Sequence, residues 1–228
     1  MKRVVLGWHR PFSPYKRICQ VPIEEVRASF LSIFTKWGKP GSMRIDNGKP
    51  LGSPSTDTTT PLSLWSIAHD IDMIWNKPYT PQLNGVVEKM QDTSQRWAEI
   101  DQATDIQDLQ KRLNKEAIIQ REQFKVARLG YKTRLDTYPE LLSAQRTWQP
   151  TAENHFDENR VYKFLEKKTY SRKVSKAGQI NLFAHKLRVG DALVGKYVQI
   201  KLNTQELKWD IYDNYKIVKS TVPYYFSK

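Results

Sequence analysis

The chain has 228 residues, 39% hydrophobic and 11% aromatic, enough to bury a core and too apolar for a disordered polyelectrolyte despite 27% charged residues and a mean hydropathy of −0.65. A formal net charge of +13 favours a polyanionic partner, nucleic acid first and an acidic membrane surface second. No apolar run approaches the roughly eighteen residues of a membrane span, His9 and Arg10 cut the short apolar stretch after the basic start too early for a signal peptide, and a lone Cys19 excludes an internal disulfide and a cysteine-built zinc site.

Val4–Leu6 reads as a buried strand, Pro11–Pro14 as a turn and Tyr15–Val21 as a second strand. A helix follows. Ile23, Val26, Phe30, Ile33, Phe34 and Trp37 recur at helical spacing after Pro22, and Gly38 with Pro40 stops them. Ser42–Ile45 is expected as a short strand ending at Asp46-Asn47-Gly48. Residues 51–61, rich in Ser, Thr and Pro, form a loop. Leu62–Ala68 predicts a short helix and Ile71–Trp75 another strand. Pro78 and Pro81 make 77–83 irregular, and Asn84 is placed to cap a helix running through Glu88 to about Ile100. Ile106, Leu109, Leu113, Ala117 and Ile118 then lie on one helical stripe. Residues 139–160 read as a linker. From Val161 the period shifts towards two, with turns at 176–178, 189–191 and 203–204, as in a small antiparallel barrel.

Charge divides the chain as well. Residues 160–228 carry 15 Lys and Arg against 5 Asp and Glu, so +10 of the +13 surplus lies in the C-terminal third. The expected organisation is an α/β domain over 1–138, a linker over 139–160 and a basic all-β barrel over 161–228.

Two carboxylates stand where chemistry needs them. Asp46 closes a strand in an α/β pattern, where side chains reach the crevice beyond the strand ends. Glu88 falls in the first turn of a helix. A strand-end Asp and a helix-start Glu are donors of the kind that hold Mg²⁺, and two such ions can clamp both oxygens of an in-line phosphoryl transfer. Read singly, Asp46 is a turn residue and Glu88 a carboxylate at a helix dipole. Their context changes that. Gly38-Lys39-Pro40, Arg44-Ile45-Asp46-Asn47-Gly48 and Tyr79-Thr80-Pro81-Gln82-Leu83-Asn84-Gly85-Val86-Val87-Glu88 resemble, in order, the integrase core of insertion-sequence transposases and retroviral integrases. Leu129–Thr133 with Tyr138-Pro139 resembles the tail of such cores, and 169–219 resembles, more weakly, the small barrel that follows the core in Mu-type transposases.

The resemblance implies a ribonuclease H-like fold and a D, D, E triad holding two divalent metals, Mg²⁺ or Mn²⁺. Asp46 and Glu88 match two of the three carboxylates, as catalytic residues and metal ligands. The interval between them is longer than in many members, and the Ser/Thr-rich loop can absorb the excess. The family's first Asp has no counterpart, since no Asp precedes Asp46; Arg10–Tyr15 matches the turn after the second strand, with Arg10 and Pro14 in place of Asp and Arg. The expectation is an incomplete core lacking its first strand. The partner implied is double-stranded DNA, met by Asn84, Lys89 and Arg96 near the carboxylates and by Lys163, Lys167, Lys168, Arg172, Lys173 and Lys176 in the basic third. The same chain or an intact transposase is a further protein partner, with no membrane and no small-molecule cofactor, in a cytoplasmic, nucleoid-associated setting.

Three functions remain open at this point. One is DNA recombination by metal-dependent strand transfer, as a catalytically crippled member; the second is a non-catalytic DNA-binding or transposase-regulating relative; the third is an unrelated basic DNA-binding protein whose motifs coincide. Three further features have plain structural readings. His69, Asp70 and Asp72 form a solvated turn rather than a metal cluster, Cys19 is a core residue, and the tryptophans are core, with Trp209 also weighed as a DNA contact.

Overall fold

Local signals account for most element boundaries in the computed structural model, which describes residues 22–46, 48, 50–52, 59–77, 80, 85–143, 146–149, 151, 155–183 and 185–221. In chain order the elements are α1 (Ile23–Trp37), β1 (Ser42–Ile45), α2 (Pro61–Ala68), β2 (Asp72–Trp75), α3 (Gly85–Trp97), α4 (Ile106–Ile118), α5 (Arg134–Thr137) and α6 (Glu158–Glu166). The strands β3 (Tyr170–Lys173), β4 (Gln179–Leu182), β5 (His185–Arg188), β6 (Tyr197–Asn203), β7 (Lys208–Asp213) and β8 (Lys216–Thr221) follow. The chain is thus mixed α/β. The strands expected at 4–6 and 15–21, the turn at 10–15, Cys19 and the Asn84 cap lie outside the described residues. No helix of the described residues is long and apolar enough to cross a membrane.

The chain folds as two compact units, each drawing on two stretches of sequence: Met1–Pro40 with Tyr79–Trp148, and Gly41–Pro78 with Gln149–Lys228.

In the first unit, α1 buries Val26, Phe30 and Phe34 along one face and ends at Gly38, whose φ of 83° suits a residue without Cβ and whose N–H donates to the Phe34 carbonyl at 2.8 Å. The 146–148 stretch, within the expected linker, is bound to this helix end. Lys39 N–H donates to the Arg146 carbonyl at 2.7 Å, the Arg146 guanidinium to the Pro40 carbonyl at 3.0 Å, and Trp148 packs edge-on against Phe34 at 5.7 Å. Asp105 caps α4 by accepting from Asp108 N–H at 2.8 Å. Glu116, almost fully buried on α4, accepts from Ser94 Oγ of α3 at 3.2 Å and from the Gln120 amide, so its carboxylate is not left unpaired. Thr133 and Asp136 form a capping box that starts α5.

In the second unit, β1 and β2 pair in parallel, Ser42 opposite Asp72 through Ile45 opposite Trp75, with α2 in the connection between them. Parallel neighbours require such a crossover. Thr60 caps α2 and Pro61 supplies its first residue; the helix then buries every residue from Leu62 to Ala68. A mostly apolar helix whose two serines are satisfied by the Leu51 and Leu62 carbonyls can be covered on all sides. Part of the cover is α6, which occupies ground where the sequence pattern placed the first barrel residues. Asp157 caps α6 through Asn159 N–H at 3.0 Å, and Val161, Tyr162 and Leu165 form its buried face at helical spacing.

Arg160 fastens the two helices. Its guanidinium donates to the Ile67 carbonyl at 3.2 Å and meets Asp70 at 2.7 Å and Asp72 at 3.5 Å. Beyond α6, a four-stranded antiparallel sheet runs in the order β3-β6-β7-β8, and β4-β5 form a separate hairpin. One hydrophobic core joins Leu64, Ile67 and Ala68 of α2 to Val161 and Leu165 of α6 and to Val198, Ile200, Leu202, Trp209 and Ile211 of the sheet. Gly41–Pro78, read from the sequence as part of the first domain, therefore shares its core with the C-terminal sheet.

Candidate functional site

Asp46 follows the last residue of β1, so it stands at the carboxyl end of a strand in a parallel pair, exposed to solvent. One carboxylate oxygen accepts the Gly48 N–H at 2.9 Å, an Asx turn. A Cβ on residue 48 would come within 3.1 Å of that oxygen, so a side chain there would make the Asp46 carboxylate give by a few tenths of an ångström. The adjoining position on β2 is equally ordered. Asn76 is buried, donates its N–H to the Ile45 carbonyl at 2.9 Å, and accepts from the Arg44 guanidinium at 3.4 Å.

Glu88 belongs to the other unit. It lies in the first turn of α3 and is exposed. A carboxylate there is favoured by the unsatisfied N–H groups and dipole of the helix start. Lys89 and Arg96, farther along the same helix, both lean on Asp92, at 3.3 Å and 2.9 Å. Such exposed pairs are worth at most about 1 kcal/mol, so they steady the two cations without withdrawing them from an anionic ligand.

A hard divalent cation takes several oxygen ligands in close array. Among the described residues no group of three or more His, Cys, Asp or Glu is gathered for a metal. Each unit taken by itself offers one of the two carboxylates the resemblance assigns. The His69, Asp70 and Asp72 turn is accounted for structurally. Arg160 pairs with both aspartates, and the buried His69 ring has its Nδ1 at 2.8 Å from the Trp65 carbonyl.

The six basic residues of the second unit expected to meet DNA fall into three kinds. Lys163, Lys167, Lys173 and Lys176 are exposed and outside any ion pair among the described residues. Lys168 is exposed too, but its ammonium sits 5.4 Å from the Phe164 ring and 6.0 Å from the Trp75 ring, which stack on each other at 5.8 Å. Arg172 is half-buried. Its guanidinium donates to the Asn181 carbonyl at 3.1 Å and the Ser171 carbonyl at 2.7 Å and lies over Tyr170, so it ties β3 to β4. Trp209 is a core residue, 3% exposed and packed against Tyr170 and Phe183. Tyr197, which the sequence pattern did not single out, is 65% exposed at the start of β6. Its signal was the alternation itself: Tyr197, Gln199 and Lys201 face out between buried Val198, Ile200 and Leu202.

No known protein-family model matches the chain.

Proposed function

We propose that the chain is a DNA-recombination protein of the integrase-core, transposase type, with a ribonuclease H-like core lineage and a barrel-like C-terminal segment that grips duplex DNA. The observation that carries this reading is the ordered motif set around Asp46 and Glu88. In support, Asp46 occupies the carboxyl end of a parallel strand and Glu88 the first turn of a helix, positions from which acidic side chains serve phosphoryl transfer in α/β folds. The basic C-terminal third supports the choice of partner, since lysines open to solvent neutralise phosphates and release condensed counterions.

A second reading is favoured by the local roles the two carboxylates fill: Asp46 accepts the Gly48 N–H in an Asx turn, and Glu88 sits in the first turn of a helix, where a carboxylate is favoured by the helix start alone. On that reading the chain binds DNA, or an intact transposase, without joining strands. One assay decides. The purified chain is incubated with labelled DNA ends and Mg²⁺ or Mn²⁺, alongside Asp46→Asn and Glu88→Gln. Joined products that disappear in both variants support the recombinase, whereas DNA binding without products supports the second reading. Absence of DNA binding in low salt overturns the recombinase and leaves, of the second reading, only contact with an intact transposase.

A further inference from the structure

The outer face of the four-stranded sheet has a composition of its own. Residues directly opposite each other in an antiparallel pair share a face, so the register fixes its members. Lys173 lies opposite Tyr197, Ser171 opposite Gln199, Gln199 opposite Tyr212, and Lys201 opposite Asp210. The other face carries Val198, Ile200, Leu202, Trp209 and Ile211 and belongs to the core. The one acid that the register places on this face, Asp210, is buried and accepts from the Asn203 amide at 3.3 Å and the Ser220 hydroxyl at 2.5 Å; Asp213, beside Tyr212 and so on the opposite side of the strand, pairs with Lys196 at 3.3 Å. Lys173 and Lys201 are exposed and, among the described residues, in no ion pair. Two open cations therefore flank Tyr197, a residue 65% exposed on the outer face of the sheet.

We propose that this face binds single-stranded DNA, with one base stacked on Tyr197 and the neighbouring phosphates met by Lys173 and Lys201. The proposal rests on reading the second unit as DNA-binding, and it adds which face and which form of DNA. An exposed ring on a sheet is a stacking platform for any base with a free face, whereas bases inside a duplex are already stacked on each other. Lysines on either side of the ring fix the backbone without reading sequence. Along β6, Lys201 lies four residues from Tyr197, about 13 Å at the rise of an extended strand, so the cations bracket the ring along the strand and across it.

The test uses the full chain and fluorescence anisotropy with a labelled oligothymidylate and a labelled duplex of mixed sequence. Tyr197→Ala is expected to weaken oligothymidylate binding about tenfold, the range for removing one stacked base, and to leave duplex affinity unchanged. Tyr197→Phe keeps the ring and should bind like the parent. Lys173→Glu with Lys201→Glu should weaken the oligothymidylate and reduce its salt dependence. Circular dichroism of each variant reports folding. An unchanged oligothymidylate affinity in Tyr197→Ala, or an equal loss on both DNAs, overturns the single-strand platform, while a parent chain that still binds duplex keeps the DNA reading of the unit. A parent chain that binds neither DNA overturns the DNA reading of the unit as well.

Discussion

Truncating one side chain of α2 should unlock a sheet more than a hundred residues away in sequence. Leu64 is 1% exposed and belongs to the same core as Val161, Leu165, Val198 and Ile211. Leu64→Ala removes buried methyl groups from a helix covered on all sides, where collapse around the gap is limited, and such truncations cost about 2–5 kcal/mol. At about 1.4 kcal/mol per factor of ten, that is a roughly thirtyfold to several-thousandfold larger open population. Amide hydrogen exchange followed by mass spectrometry reads it strand by strand. Peptides covering β6 and β7 should lose protection by that factor, together with those covering α2 and α6. If α2 loses protection while β6 and β7 keep theirs, the two stretches do not form one cooperative core and the reasoning fails. For the same reason, residues 160–228 expressed alone should expose the surface that Leu64, Ile67 and Ala68 cover and fold poorly.

Three further outcomes follow from the geometry. Reversing Lys163, Lys167, Lys173 and Lys176 to Glu should flatten the log–log salt dependence of duplex binding by about 3 to 4, at about 0.9 for each phosphate no longer neutralised; Arg172→Ala should lower thermal stability and leave that slope alone, and the opposite pattern would show Arg172 to be the residue that meets DNA. Gly178 has φ +65°, and a Cβ there would meet an Asp191 carboxylate oxygen at 2.7 Å and the Gly190 backbone at 3.0 Å, so Gly178→Ala should cost about 1–3 kcal/mol in denaturant unfolding; an unchanged midpoint contradicts it. The side-chain hydrogen bond from Arg112, and then the Thr104 N–H, hold the Asp108 carboxyl below its ordinary value. A carboxyl depressed on folding stabilises the helix above its unfolded pKa, and that contribution is lost as pH falls through the depressed folded value. An NMR titration of Asp108 should therefore move up towards the ordinary carboxylate range in Arg112→Ala, and an unmoved titration would discount the Arg112 bond.

Elements governed by short-range chemistry could be read from the sequence. The apolar spacing and Gly38 stop marked α1, Asp46-Asn47-Gly48 marked the end of β1, and the apolar stripe from Ile106 marked α4, because caps, turns and periodicity depend on neighbours within a few residues. The short α6 was masked: its nine residues hold only Val161, Tyr162 and Leu165 as a buried face, too few for a clear period. The sharing of a core between α2 and the C-terminal sheet was not legible either. It rests on packing and on the grip of Arg160 on Ile67, Asp70 and Asp72, interactions between distant segments that no local pattern encodes. At the candidate site, residue types and order pointed to Asp46 and Glu88. Conversely, Arg172 counted as a free cation in the charge tally, although backbone carbonyls claim its guanidinium.

The discontinuous second unit has a consequence for synthesis. The helix α2 leaves the ribosome about ninety residues ahead of α6, and at roughly 5–20 residues per second the interval is about 5–20 seconds. Throughout it, a segment whose every side chain from Leu62 to Ala68 is destined for the interior lacks the α6 and sheet residues of its core. The nascent chain thus passes through a stage in which its most apolar helix is the part most open to chaperone capture or to aggregation, and the vulnerability ends only when the last third of the chain arrives.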